Sequence, residues 1–267
     1  MTDQVVTEST DMKRFPTKID FLDEKIEGFY PGFVILHGVV GAGSTEFGLT
    51  FLMNNSDSDE QVKLYYIAIA KTKEEVLREI RLVFPQEKNK RLIENLNVIT
   101  LAEDYFKGSI VPLRWVSKRK LTINELKSGK DILTSLAETI EQCEERSIIL
   151  MDSITDLARI ARERIKWNDL VDLINGLKKI CVNKEILMMS LLTSDALEKE
   201  KEEELMDQGD GVLIFEWSMK EDSVERWLYF RKFTGILPLL EREGILKYNV
   251  SIDPELGFTI SNTVRVI

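Results

Sequence analysis

A short glycine-rich segment between two apolar segments is the strongest constraint on how this chain can fold. The segment runs from Gly38 to Thr45. Residues 33–37, just before it, form an apolar run with β-branched side chains, which is typical of a buried strand. Large apolar side chains continue after it to Met53 and indicate a largely buried helix. A strand, a glycine turn and a helix in this order is the arrangement that a phosphate-binding loop requires.

The glycine spacing matches the phosphate-loop pattern G-x-x-x-x-G-K-[ST] except that Ser44 replaces the lysine. Glycines let backbone N–H groups turn toward phosphate oxygens, and the N-terminus of the following helix favours an anion. The lysine would add a positive charge at the β- and γ-phosphates. The sequence therefore predicts a cradle that can hold a nucleotide but is poor at splitting it, and a glycine turn without a ligand is the alternative. We expect six residues to contact the nucleotide: Gly38, Gly41, Ala42, Gly43, Ser44 and Thr45.

The composition fits one soluble α/β domain. The chain has 267 residues, of which 43% are hydrophobic and 31% charged. We expect residues 1–12 to be a flexible tail and residues 13–267 to be a single domain. No apolar stretch reaches the length of a membrane span, and the N-terminus lacks the apolar core of a signal peptide, which predicts a cytoplasmic protein. Cys143 and Cys181 are predicted to be reduced core residues, and the single histidine, His37, excludes a multi-histidine metal site.

The net charge of −10 opposes non-specific binding to nucleic acid or anionic lipid, because both require a basic surface. One local exception is the basic cluster Lys118, Arg119 and Lys120, which lies close to Arg114 and Trp115. A cation cluster beside an aromatic ring can bind a nucleic-acid strand or an acidic partner. A solvated loop is the alternative interpretation.

Apolar strands alternate with helical patterns through the first two thirds of the chain, which predicts a parallel sheet with right-handed crossovers. Strands are predicted after the loop at residues 62–70, 97–100, 147–152 and 185–192. The last third contains strand patterns with little helix between them, at residues 211–217, 224–233 and 248–252. The predicted fold class is therefore α/β, with a mainly parallel central sheet flanked by helices and antiparallel strands added at the C-terminal end.

A second nucleotide-site motif is predicted where the apolar run 148–151 ends in Asp152. A carboxylate at the C-terminal end of a parallel strand lies at the edge where α/β proteins bind ligands. Asp152 would help to order a magnesium ion, and Thr45 would ligate it directly. The alternative is that Asp152 caps the next helix.

Taken in order, these segments resemble the KaiC branch of the RecA-type ATPases, with archaeal RadA-like proteins as near relatives. The resemblance covers about residues 19–260 and implies a RecA-like P-loop fold, binding of ATP or ADP with magnesium, and a ring or filament with the nucleotide between protomers. It is carried by the turn at residues 26–32, the glycine loop, the segment Met151–Thr155, and weaker matches at residues 187–193, 210–215 and 227–235.

The departures from this family concern the residues that would drive hydrolysis. The family ends its second strand with a glutamate pair that activates water, whereas this chain has Ala70 and Lys71 there. The family's K-x-R motif reaches the neighbouring subunit's γ-phosphate, and here Lys232 is kept while Thr234 replaces the arginine. We therefore predict no catalytic residue, keep Lys232 as a nucleotide contact, and regard Lys71 as a hypothetical displaced cation.

The resemblance and its departures together predict a catalytically weak or inactive protein that acts as a regulatory or scaffolding subunit. It would bind ATP or ADP, or leave the loop empty, and it would assemble with protein partners and with copies of itself in an archaeal setting. Three alternatives stay open: an active ATPase with rearranged catalytic residues, a nucleic-acid-binding RadA-like recombination paralogue, and a pure interaction module.

Overall fold

The computed structural model of the protein describes residues 13–57, 62–117, 131–161, 164–220 and 223–265. The predicted tail, residues 1–12, and the basic cluster Lys118, Arg119 and Lys120 lie outside the described residues. No described helix is both long enough and apolar enough to cross a membrane.

A nine-stranded sheet organises the described chain, in the spatial order β3-β2-β4-β5-β1-β6-β7-β8-β9. The six strands from β3 to β6 in this order are mutually parallel, and β7, β8 and β9 add in antiparallel fashion. The strands are β1 Gly32–Gly38, β2 Lys63–Ala68, β3 Leu96–Thr100, β4 Ser147–Asp152, β5 Leu187–Thr193, β6 Gly211–Lys220, β7 Ser223–Phe233, β8 Ile245–Asp253 and β9 Gly257–Arg265.

Helices cover both faces of the sheet. They are α1 Asp20–Ile26, α2 Ser44–Asn55, α3 Lys73–Val83, α4 Gln86–Asn95, α5 Ala102–Phe106, α6 Ile132–Glu141, α7 Ile154–Ile160, α8 Trp167–Asn183, α9 Lys199–Gln208 and α10 Leu237–Arg242, with one 3-10 turn at Leu113–Trp115.

Two apolar layers form because successive side chains of a strand point to opposite faces. Val34 and Leu36 of β1 pack with α1 to α4 and with the antiparallel strands. Phe33 and Ile35 pack on the other face with α6 to α9. All seven residues of β1 are buried, as expected for a central strand of a parallel sheet covered on both faces.

The predicted fold class is confirmed, with two refinements. The first strand of the C-terminal third, β6, pairs in parallel with β1, so the antiparallel part begins only at β7. A ninth strand, β9, and helix α4 were not predicted. Helix α3 follows β2, and Glu75 in its first turn forms a capping box with Thr72.

Candidate nucleotide-binding site

The glycine loop connects the end of β1 to the start of α2. Gly41 and Gly43 have φ angles of +84° and +104°, which lie in the left-handed region that glycine adopts most readily. A Cβ atom on Gly43 would also come within 3.3 Å of the Phe258 ring. These two glycines let the chain turn sharply under the end of the sheet and enter α2 at Ser44.

The amide groups of the loop are arranged to receive an anion. The first N–H groups of any helix have no partner within the helix. In α2 no side chain caps these groups either. The Ala42 N–H donates to the Val39 carbonyl over 3.0 Å, which closes the loop on itself. The loop therefore fits a phosphate group in both backbone shape and helix polarity.

Ser44 supplies no substitute for the missing lysine. Its hydroxyl lies close to the start of the loop, because a Cβ on Gly38 would be 3.1 Å from the Ser44 Oγ. A serine side chain in that place offers a hydrogen bond but no positive charge.

The β6–β7 hairpin holds the loop from outside, an arrangement that the sequence interpretation missed. The Trp217 indole donates to the Val40 carbonyl over 2.9 Å, and the Arg226 Nε donates to the Gly41 carbonyl over 3.0 Å. Trp217 and Arg226 are direct partners in the antiparallel register of the hairpin. No local motif marks these contacts, because they join residues that are 177 and 185 positions apart.

Thr45 and Asp152 are placed at the same end of the sheet. Helix α2 runs back along the parallel strands and packs on β4 so closely that a Cβ on Gly48 would be 2.7 Å from a Leu150 methyl group. Thr45 lies about one turn closer to the helix start, and Asp152 lies two residues further along β4 on the face of Leu150. Both shifts lead toward the carboxyl ends of the strands.

The Asp152 carboxylate already has two partners. It is buried, and its Oδ2 accepts hydrogen bonds from the Tyr66 hydroxyl over 2.6 Å and from the Lys71 ammonium over 2.7 Å. Lys71 also binds Glu79 Oε2 over 2.6 Å, so one ammonium bridges two carboxylates. Glu79, on α3, is an acid at this site that the sequence interpretation did not single out.

These contacts shift several pKa values in directions that follow from burial and charge. Burial lowers the pKa of Lys71, but the charges of Asp152 and Glu79 outweigh burial, so that the pKa is raised overall. Burial and the neighbouring Asp152 hold the pKa of Tyr66 well above its ordinary value. Burial also raises the pKa of Asp156, against the hydrogen bond from Ser153. At neutral pH, Lys71 is therefore a fixed cation and Tyr66 a fixed donor on the Asp152 carboxylate.

Asp152 does not cap the next helix. Ser153 is the N-cap of α7, and its hydroxyl accepts the Asp156 N–H over 3.2 Å and donates to the Asp156 carboxylate over 2.8 Å. The alternative role considered for Asp152 is therefore wrong, and its carboxylate points instead to the cluster with Lys71 and Tyr66.

The residues present fit a magnesium ion in type but not in charge. A threonine hydroxyl and a carboxylate are oxygen ligands that magnesium prefers. However, the Lys71 ammonium already neutralises the Asp152 carboxylate. The positive charge of this ammonium would repel a divalent cation. Within the described ranges, no group of three or more His, Cys, Asp or Glu residues is arranged to hold a metal ion by itself.

Lys232 is not brought to the loop within the same chain. It pairs with Val212 on β6, and Val212 pairs with Ile35, which lies three residues before Gly38. Its ammonium donates to the Asp207 carbonyl over 2.6 Å. A contact between Lys232 and nucleotide would therefore require a second protomer.

His37 is buried, and the two cysteines are buried in the core as predicted. The His37 Nε2 lies 3.1 Å from Glu202 Oε2, and both side chains are buried. Cys143 and Cys181 are buried and free. Burial raises the pKa of the Cys143 thiol to about 11 and also raises that of Cys181.

A sequence model of the family described as "ATPase: KaiC" matches residues 15–236. Among solved structures, the KaiC-like protein PH0186 from the hyperthermophilic archaeon Pyrococcus horikoshii OT3 is 16% identical, with a TM-score of 0.62 over 94% of this chain and 100% of that chain. The flagellar accessory protein FlaH from Methanocaldococcus jannaschii is 17% identical, with a TM-score of 0.61 over the same shares. These structures share the fold. No curated protein sequence matches the chain.

Proposed function

Because the chain belongs to the KaiC family of ATPase domains, we propose that it is a nucleotide-binding protein that splits ATP slowly or not at all. It would act as a regulatory or scaffolding subunit whose loop is ordered by nucleotide. The observation that carries this proposal is the Lys71 ammonium on the Asp152 carboxylate.

Nucleotide binding is supported by the backbone of the loop. The uncapped start of α2 and the left-handed glycines at 41 and 43 would direct N–H groups of Gly43, Ser44 and Thr45 to phosphate oxygens. Magnesium, where bound with the nucleotide, would neutralise phosphate charge. Thr45 and Asp152 carry the oxygen atoms that magnesium prefers, but the Lys71 ammonium on Asp152 opposes a divalent cation there.

Weak catalysis is supported by the contacts of the charged side chains at the carboxyl ends of the parallel strands. Lys71 takes the place of a glutamate that could accept a proton from water. Its ammonium also forms an ion pair with Glu79, the nearby acid. Ser44 brings no charge to the loop. Loss of one general base alone costs roughly a hundredfold or more in rate.

Assembly of several protomers is the second part of the proposal. Lys232 is partly exposed and far from its own loop, so that a ring or filament of this chain would be needed to bring it to a nucleotide. We propose a cytoplasmic homo-oligomer that works with protein partners, and the net charge of −10 disfavours nucleic acid.

The test combines binding and turnover on one sample. Titration calorimetry with ATP and with ADP, each with and without magnesium, would be followed by a phosphate-release assay. Binding without release supports the proposal. Sustained release that is abolished by Thr45→Ala or Asp152→Ala would overturn it in favour of an active ATPase, a candidate that Glu79 keeps open because it is a carboxylate within reach of the site.

A further inference from the structure

Arg226 occupies a fixed position against the glycine loop. It lies on β7 and pairs with Trp217 of β6 in an antiparallel hairpin. In this hairpin Gly211 pairs with Phe233 at one end, and Lys220 pairs with Ser223 at the other. Its Nε donates to the Gly41 carbonyl over 3.0 Å, while Trp217 holds the carbonyl of the preceding residue, Val40. A guanidinium group is therefore held against the middle of the loop by a hairpin of the central sheet.

Most of the guanidinium is still available. Arginine carries five N–H donors, and the Gly41 contact uses only the one on Nε. Within the part of the chain that the structure describes, the two terminal amino groups of Arg226 make no hydrogen bond or ion pair. The side chain is half-buried, so these groups are held in place but reach solvent.

A second arginine on the same strand shows that this availability is not a property of β7 in general. Arg231 binds Glu203 through both terminal nitrogens, over 3.1 and 2.6 Å. Its charge is therefore consumed by a neighbouring carboxylate, in contrast to that of Arg226.

The other cations that the sequence drew attention to are engaged elsewhere. Lys71 bridges Asp152 and Glu79, and Lys232 binds the end of α9 at Asp207. Ser44 is uncharged. Among these positions and Arg226, only Arg226 brings a positive charge into contact with the loop backbone.

We propose that Arg226 is the phosphate-binding cation of this loop and takes the place of the missing lysine. The inference rests on the proposed nucleotide binding. Its Nε would keep the group on the Gly41 carbonyl, and its terminal amino groups would bind oxygens of the β- and γ-phosphates of a nucleoside di- or triphosphate. Guanidinium suits this role because its planar fork binds phosphate through two hydrogen bonds and stays charged at all relevant pH values.

The test compares Arg226→Gln with the matched control Arg231→Gln, which removes the same charge from the same strand. Dissociation constants for ATP, ADP and AMP are measured by titration calorimetry at fixed salt. We expect Arg226→Gln to weaken ATP and ADP binding by about 10- to 100-fold, as charge-assisted hydrogen bonds imply, with little effect on AMP. Arg231→Gln should bind all three as the wild type does.

A purely structural role for Arg226 gives a different result. If Arg226 only keeps the loop in shape, the loss will be equal for AMP, ADP and ATP, as we expect for Trp217→Phe, which removes the neighbouring contact to Val40. An equal loss, or wild-type affinity in Arg226→Gln, would overturn the inference. Circular dichroism and urea unfolding of each variant exclude misfolding as the cause, and Arg226→Lys should recover part of the ATP affinity.

Failure of this inference can be told apart from failure of the proposed function. Wild-type protein that binds ATP while Arg226→Gln binds it equally well refutes only the role of Arg226. Wild-type protein that binds no nucleotide refutes both.

Discussion

Replacing Lys71 by methionine should make ATP binding depend on magnesium. The substitution removes the ammonium that lies 2.7 Å from Asp152 Oδ2 and 2.6 Å from Glu79 Oε2, and it keeps an unbranched side chain in its place. In the wild type, this ammonium supplies the positive charge that a metal ion would otherwise bring to Asp152. The variant should leave two carboxylates free to attract a divalent cation.

The size of the effect follows from the geometry. Charges of +2 and +1 about 4 Å apart repel by about 2 kcal/mol at the dielectric constant of water. This dielectric is appropriate because the Lys71 side chain is 36% exposed, and a low-dielectric value would overstate the interaction. Since about 1.4 kcal/mol corresponds to a tenfold change, the ratio of ATP dissociation constants without and with magnesium should rise about 30-fold over that of the wild type.

The assay is titration calorimetry with ATP in the presence of either magnesium or a chelator. Lys63→Met is the matched control, because Lys63 lies on β2, close in sequence, and its ammonium is 3.8 Å from Glu144 at an exposed position. The control should show the wild-type ratio. An equal magnesium dependence in the wild type and in Lys71→Met would refute the idea that Lys71 stands in for the metal.

Further predictions concern the groups around the same cluster and the core. Tyr66→Phe removes a buried donor to Asp152 and should lower the free energy of unfolding by about 1–3 kcal/mol in urea titrations; an unchanged midpoint would contradict the importance of that bond. Cys143 and Cys181 should resist a thiol reagent at pH 8 in the folded protein, since burial raises both pKa values, and both should react in denaturant. The pKa of Asp156 is raised on folding, so the unfolded state loses this proton first as pH rises. The stability contributed by the protonated form is therefore complete below the unfolded pKa and is lost as pH rises through the folded one. Asp156→Asn should make the free energy of unfolding, measured in urea, less dependent on pH between the unfolded and folded pKa values. A pH dependence identical to that of the wild type would count against the burial of that carboxyl.

Local sequence patterns predicted the part of the fold that is built from consecutive elements. The glycine spacing from Gly38 to Gly43 and the apolar run ending in Asp152 each lie within a few residues, so strand, turn and helix could be placed directly. The family resemblance added their arrangement in one sheet, and both were confirmed. The antiparallel strand β9 was missed although Phe258, Ile260 and Val264 alternate with polar residues.

The charges of the site could be only partly predicted. The sequence showed that Lys71 stands where a glutamate is expected, but not that its ammonium would bridge Asp152 and Glu79. That contact depends on how β2, α3 and β4 pack, which no spacing reveals. The positions of Trp217 and Arg226 were hidden for the same reason, since a β-hairpin far along the chain brings them to the loop.

The bonds from Trp217 and Arg226 to the loop also bear on how the protein is made. A ribosome delivers the loop first and the strand that carries Arg226 nearly 185 residues later. Contacts of such long range form late, because closing a large chain loop costs entropy that local contacts avoid. An incomplete chain that stops before β6 would thus lack both side chains that hold the loop. The proposed nucleotide site would therefore be complete only in a chain that has added both strands of the hairpin.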